Sequence, residues 1–320
     1  MKKSQIFNLS HSHCVRELWQ LIEKIDNNRE KLIYFAASMN KVKLLKTIQE
    51  LRSLLDSQHN GGSVGFVPTM GALHRGHLSL VEAAARENPL VVVSIFVNPT
   101  QFNNPDDLKR YPRNLKSDLQ LLESAGANIV FAPEVEEIYP EPDTRKFDFG
   151  ALVQMMEGKY RPGHFNGVAQ VVSKLFEIVK PDKAYFGLKD FQQLAVINKM
   201  VKMLGIPVEI VPCPIVREES GLAMSSRNEL LTAEERKNAA MIYHTLRRAS
   251  ELSGEKTVGE TESWVIKTVN KNPFLNVEYF EIVDFETLQP VQSWNHKGRK
   301  IGCIAVYCGN VRLIDNLEWN

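Results

Sequence analysis

The stretch Val64-Gly65-Phe66-Val67-Pro68-Thr69-Met70-Gly71-Ala72-Leu73-His74-Arg75-Gly76-His77-Leu78-Ser79-Leu80 holds the most structural information in the chain. Its first four residues form a short apolar run, which reads as a buried strand. Pro68 to Gly71 interrupt that run, and residues 77–87 then follow helical spacing. The same strand, loop and helix order repeats outward from here. Strands are predicted at 90–97, 128–131, 184–186 and 207–211, and helices at 107–124, 168–179 and 191–204. Continuous Val/Ile/Phe strands separated by amphipathic helices imply a parallel sheet covered on both faces. The expected fold class is therefore α/β, a Rossmann-like doubly wound parallel sheet.

Upstream, Leu44, Leu45, Ile48, Leu51, Leu54 and Leu55 give one apolar helical face, closed by Asn60-Gly61-Gly62. Downstream of about residue 218 the rhythm changes. Thr232-Ala233-Glu234-Glu235 is a capping box for a helix reaching to about residue 250, and another helix is predicted at 258–269. Three β-rich runs follow at 276–285, 300–307 and 311–317, with Gly309-Asn310 as a hairpin turn between the last two. This part reads as a smaller C-terminal α+β domain. The expected division is an extension at 1–38, a Rossmann-like domain at 39–217 and a C-terminal α+β domain at 218–320. In the extension, Leu18, Trp19, Ile22 and Ile25 have rough helical spacing before Asp26-Asn27-Asn28 breaks it.

A length of 320 residues suits about two domains. Lys and Arg number 39 against 38 Asp and Glu. That balance lacks the basic excess expected of a nucleic-acid or membrane-surface binder. No run approaches the roughly 18 apolar residues of a membrane helix. Met1-Lys2-Lys3 is followed by polar Ser4, Gln5, Asn8 and Ser10, so no signal-peptide core is visible. A soluble, cytoplasmic protein is expected. Cys14, Cys213, Cys303 and Cys308 form no CxxC pair and no zinc-ligand spacing, and they read as small core residues. Cys303 and Cys308, five apart on one strand, should face opposite sides.

In an open parallel sheet, ligands bind beyond the carboxyl ends of the strands. The loops there are Pro68 to His77, Asn98 to Phe102, Gly187 to Gln193, and Pro214 to Arg217 leading on to Met224-Ser225-Ser226-Arg227-Asn228. All are rich in hydrogen-bond donors. His74 and His77 stand three apart at a helix start, Gly76 permits close approach to the backbone, and the helix N-terminus favours an anion. A triphosphate is the natural guest, with both imidazoles donating N–H to its oxygens. A capped helix start bearing two solvated histidines is the plainer alternative.

The His74-x-Gly76-His77 word resembles the HxGH fingerprint of nucleotidylyl-transferring Rossmann folds, and Met224-Ser225-Ser226-Arg227 is similar to their mobile KMSKS element. Six words in order extend the likeness: 65–74, Val97-Asn98-Pro99-Thr100-Gln101-Phe102, Arg110-Tyr111-Pro112-Arg113, Arg161-Pro162-Gly163-His164-Phe165, Lys189-Asp190-Phe191-Gln192-Gln193-Leu194 and 224–228. From about Met39 to the C-terminus the chain resembles the pantothenate synthetase (pantoate–β-alanine ligase) family.

That resemblance implies ATP-dependent joining of (R)-pantoate to β-alanine through a pantoyl adenylate, releasing pyrophosphate and then AMP. It assigns ATP binding to Met70, Gly71, Ala72, Leu73, His74, Arg75, Gly76 and His77, to Gly187, Leu188, Lys189 and Asp190, to the backbone of Val216, and to Met224, Ser225, Ser226 and Arg227. His77, His74 and Lys189 become the catalytic candidates, and Gln101 and Gln193 the pantoate clamps, with Gln101 also near β-alanine. Leu188 stands where the family has glutamate. Arg161 and His164 either assist at the phosphates or cap their helix. Mg²⁺ should accompany ATP, with Asp118 as a candidate ligand, and a homodimer is implied. Residues 1–38 have no counterpart in the family pattern and should be dispensable. Two other readings are a nucleotidyltransferase making a dinucleotide-like product and a catalytically silent nucleotide-binding scaffold.

Overall fold

The computed structural model describes residues 42–58, 62–103, 105–252 and 254–319. The extension, its helical run and Cys14 lie outside the described residues, as does the Asn60-Gly61 helix end. In chain order the elements are β1 (Lys43–Leu45), α1 (Ile48–Gln58), β2 (Val64–Thr69), α2 (Arg75–Glu87), β3 (Leu90–Ile95), α3 (Pro105–Arg110), α4 (Leu115–Ala125), β4 (Ile129–Phe131) and α5 (Val135–Ile138). They continue with α6 (Met156–Tyr160), α7 (His164–Val179), β5 (Lys183–Gly187), α8 (Phe191–Leu204), β6 (Glu209–Cys213), α9 (Ala233–Ala239), α10 (Met241–Glu251), α11 (Val258–Val269), β7 (Leu275–Asp284), β8 (Lys300–Cys308) and β9 (Val311–Trp319).

The first six strands form one sheet in the order β1-β4-β3-β2-β5-β6, and every neighbouring pair is parallel. Alternation along the strands fills both faces. Phe66, Val92, Ala184 and Phe186 join Phe165, Val168 and Val172 of α7 in one apolar cluster. Their neighbours Val67, Val91, Val93 and Tyr185 pack on the opposite face with Leu78, Val81 and Ala84 of α2 and Leu122 of α4. The doubly wound reading holds. Strand order reverses between β2 and β5, so a crevice opens beyond their carboxyl ends.

The last three strands form an antiparallel sheet, β7-β8-β9, with α10 and α11 packed against it. Gly309, at φ +55°, makes the β8–β9 turn. Cys303 and Cys308 are both buried and belong to different clusters, as their spacing requires. Among the described residues, no helix is long and apolar enough to cross a membrane.

Three local expectations are corrected. Leu44 and Leu45 do not share a helix with Ile48. Lys43–Leu45 pairs with β4 as an edge strand, because exposed β4 backbone offers hydrogen bonds that one further helical turn would not. The single helix expected at 107–124 is two, α3 and α4, since Pro112 cannot donate within a helix and Asn114 starts the second by accepting Ser117 N–H at 3.1 Å. The helix after the Thr232 capping box is likewise interrupted, at Ala240.

Candidate active site

The β2–α2 loop is held in an unusual path. Gly71 and Ala72 both take positive φ, +79° and +50°, a strained setting for alanine. Asp118 of α4 fixes it, its carboxylate accepting Ala72 N–H at 3.0 Å and Leu73 N–H at 2.8 Å. Asp118 is 2% exposed, and burial pushes its pKa up while these two bonds oppose the rise. Both carboxylate oxygens therefore serve the loop, which removes Asp118 as the metal ligand suggested by sequence.

His74 caps α2, and its Nδ1 accepts Gly76 N–H at 3.1 Å. His77, three residues on, accepts His74 N–H on its own Nδ1 at 3.3 Å. A backbone N–H can only donate, so neither Nδ1 carries a proton. The proton of each neutral ring sits on Nε2, on the far side from these contacts. The rings lie 4.1 Å apart. Burial, followed by repulsion from Lys189, lowers the His74 pKa to about 4. Burial, the neighbouring His74 and Lys189 hold His77 well below the ordinary imidazole value. Two neutral N–H donors thus stand together at a helix N-terminus. A Cβ on Gly76 would come within 2.9 Å of the His74 ring, so glycine there keeps the pair in place.

The distant Ser-Ser-Arg word closes onto this loop. Ser226 Oγ donates to Ala72 O at 2.9 Å and is 6% exposed, so its hydrogen is committed to the loop. Ser225 Oγ accepts Arg227 N–H at 3.3 Å and keeps its own hydrogen to give. Arg227 is steered by Asp107 at 2.8 Å and lies over the Tyr111 ring, 5.8 Å from its centroid. Met224 N–H donates to Val216 O at 3.0 Å, which ties the two ends of a short hairpin.

These groups line a cleft of about 1250 Å³, open to solvent. Met70, His74, Gly76, His77, Gly187, Lys189, Asp190, Val216, Met224, Ser225, Ser226 and Arg227 face it, and so do Gln101 and Gln193. The remaining candidates lie behind it. Gly71, Ala72 and Leu73 shape the loop, and Arg75 turns outward to pair with Glu82. Leu188 packs into the apolar clusters beneath.

Gln101 sits on a short 3₁₀ turn, Pro99–Gln101, pressed against α7. A Cβ on Gly167 would meet Thr100 O at 2.5 Å, so only glycine allows that approach. Asn98 donates to Gln101 Oε1 at 3.2 Å, and His164 binds the Gln101 carbonyl at 2.8 Å. A carbonyl only accepts, so His164 Nδ1 is the donor there, and its Nε2 is left with a lone pair. His164 thus acts on the clamp and not as a simple helix cap, while Arg161 pairs with Glu157 at 3.3 Å.

Other contributors gave little sequence signal. Asn316 of β9 donates to Leu188 O at 2.9 Å and Lys189 O at 3.0 Å. Its neighbour Asp315 makes a two-point pair with Arg217 at 2.7 and 2.9 Å. Tyr111 and Arg217 lay inside quoted words; Asp315 and Asn316 were ordinary strand positions. Among the described residues, no group of three His, Cys, Asp or Glu side chains is arranged to hold a metal ion.

Residues 43–318 match the family model for pantoate-beta-alanine ligase. A pantothenate synthetase of Bacteroides fragilis is 56% identical over 87% of this chain and 99% of its own, and one from Porphyromonas gingivalis is 53% identical with the same coverage. The crystal structure of pantothenate synthetase from Thermus thermophilus superposes with a TM-score of 0.81 at 48% identity, covering 87% of this chain and all of that one. A pantoate-beta-alanine ligase from Francisella tularensis, solved in complex with beta-gamma ATP and beta-alanine, gives a TM-score of 0.74 at 38% identity, over 87% of this chain and 97% of that one. With its cleft at the sheet's switch point and relatives of this closeness, the chain belongs to the pantoate–β-alanine ligase family, enzymes that form pantothenate from pantoate and β-alanine.

Proposed function

We propose that the chain makes pantothenate in two steps within the cleft at the β2–β5 switch point. A pantoate carboxylate oxygen attacks the α-phosphorus of ATP, the bond to the pyrophosphate oxygen breaks, and pyrophosphate leaves. The free amine of β-alanine then attacks the acyl carbon of the adenylate, AMP leaves, and the nitrogen loses a proton as the amide forms.

The residues present suit these steps. The Nε2–H groups of His74 and His77 donate to α-phosphate oxygens as charge grows on them, and being neutral they need no proton taken up or released. Ser225, Arg227 and Lys189 receive the leaving pyrophosphate, while Ser226 latches their loop to Ala72. Gln101 and Gln193 hold pantoate, since an amide can donate to the carboxylate and accept from the hydroxyls. The Val216 backbone edge faces the base. Mg²⁺ entering with ATP would be held chiefly by the nucleotide and would neutralise charge on the leaving pyrophosphate, beside Lys189 and Arg227. Residues 218–320 act as a cover over the 39–217 catalytic part, and a cytoplasmic homodimer is the working form.

The observation that carries this reading is the Ser226–Ala72 bond, which joins two words 154 residues apart around one cleft. Exchange of labelled pyrophosphate into ATP tests it. Exchange should require pantoate and no amine, and AMP should accumulate only when β-alanine is added. AMP formation without exchange would overturn the adenylate.

A further inference from the structure

A second, much smaller and partly open pocket adjoins the main cleft, sharing Lys189, Asp190 and Gln193 with it. Arg161 lines this cavity and not the main cleft. Of the five N–H donors on its guanidinium, one has an acceptor among the described residues, Glu157 at 3.3 Å. Glu157 itself is committed elsewhere. Arg312 holds it with bonds of 2.9 and 2.6 Å, and Tyr279 adds a third at 2.9 Å. Burial opposes the Glu157 charge, yet Arg312 prevails and keeps its pKa at about 2.

The other carboxylates lining the cavity are also paired, Asp315 with Arg217 and Asp190 with Lys189 at 3.8 Å. Arg161 is therefore a largely desolvated cation with unused donors, a setting that favours a bound carboxylate. Two further polar side chains line the same space. Gln192 is 4% exposed, and its Oε1 has no partner although its Nε2 binds Leu152 O and Met155 O. His164 lines it too, its Nδ1 holding the Gln101 carbonyl.

A cation with unused donors, set one residue's reach from the clamps, describes a seat for an anionic group, and the two-step reading above needs one for the amine's carboxylate. We propose that this second cavity receives the carboxylate end of the amine substrate, anchored by Arg161, so that its nitrogen emerges at the rim beside Gln101 and Gln193. The cavity then selects for a carboxylate at fixed reach from the attacking nitrogen.

The inference rests on the two-step reading, and one pair of assays separates their failures. The enzyme is supplied with β-alanine or β-alaninamide, its neutral isostere, with AMP release as readout; pantoate-dependent pyrophosphate exchange is followed in parallel. The wild type should prefer β-alanine on the order of 10²-fold in kcat/KM. In Arg161→Gln that preference should shrink to a few-fold, with the β-alanine rate falling far more than the exchange rate. Equal use of both amines by the wild type would overturn the anchor. So would an Arg161→Gln enzyme whose exchange falls as much as its β-alanine rate, since the loss would then be structural or at the phosphates. Absence of exchange in the wild type would sink the two-step reading itself.

Discussion

Two helix starts in this chain carry words that end in Gly-His, His74-Arg75-Gly76-His77 at α2 and Arg161-Pro162-Gly163-His164 at α7. Both place an imidazole in the first turn, and burial lowers the pKa of His74 and of His164 to about 4. Their tautomers are opposite. The α2 histidines accept backbone N–H on Nδ1 and keep Nε2–H for the cleft, whereas His164 spends Nδ1–H on the Gln101 carbonyl. A local word fixes where a ring sits, and its hydrogen-bond partner fixes whether it works on a ligand or on the protein.

The largest test of this contrast is His77→Ala. Pantoate-dependent pyrophosphate exchange should fall about 10²–10³-fold, as for loss of one oxyanion donor. A near-normal rate would remove His77 from the transition state and erase the distinction. Next comes stability against pH. An unfolded imidazole takes its proton near 6.5, folded His164 only near 4. Between those values the unfolded chain binds more protons, so this contribution is full above pH 6.5 and drains away as pH falls toward 4. The part due to His164 is about 3 kcal/mol. Urea midpoints for His164→Asn should therefore depend less on pH over that window than those of the wild type. A third test asks what His164 positions. His164→Ala should raise KM for pantoate about tenfold, the cost of one unmade buried hydrogen bond, with a smaller change in kcat. A fall in kcat matching that of His77→Ala would put both rings in the same role. The smallest effect is expected from removing residues 1–38: pantothenate formation should stay within about twofold of the full chain, because they have no part in either word.

The parallel sheet was legible because its strands are unbroken apolar runs and its loops hold the donors. The histidine loop and the Ser-Ser-Arg word could be read as partners, and Ser226–Ala72 joins them. Short or long-range features were not legible. Lys43–Leu45 became a strand only because β4 stood beside it, overriding a helical pattern. Asp118 looks like a solvated helix carboxylate until two N–H groups 45 and 46 residues away are placed against it. Alternation marks β9 as a strand, but not that Asp315 and Asn316 meet Arg217 and Lys189. The Glu157–Arg312 pair spans 155 residues, and no spacing rule reaches so far. Leu188 was visible as a departure from the family word, and its apolar surroundings explain how the chain accommodates it.

The Asn316 clamp on the Lys189 carbonyl bridges 127 residues of chain. During synthesis the turn bearing Lys189 emerges well before the strand that steadies it, by on the order of ten seconds at ordinary translation speeds. A polypeptide extended just past Ser226 already owns its histidines and its serines, yet lacks the brace that sets the lysine. The final setting of that turn is thereby deferred until β9 has been made.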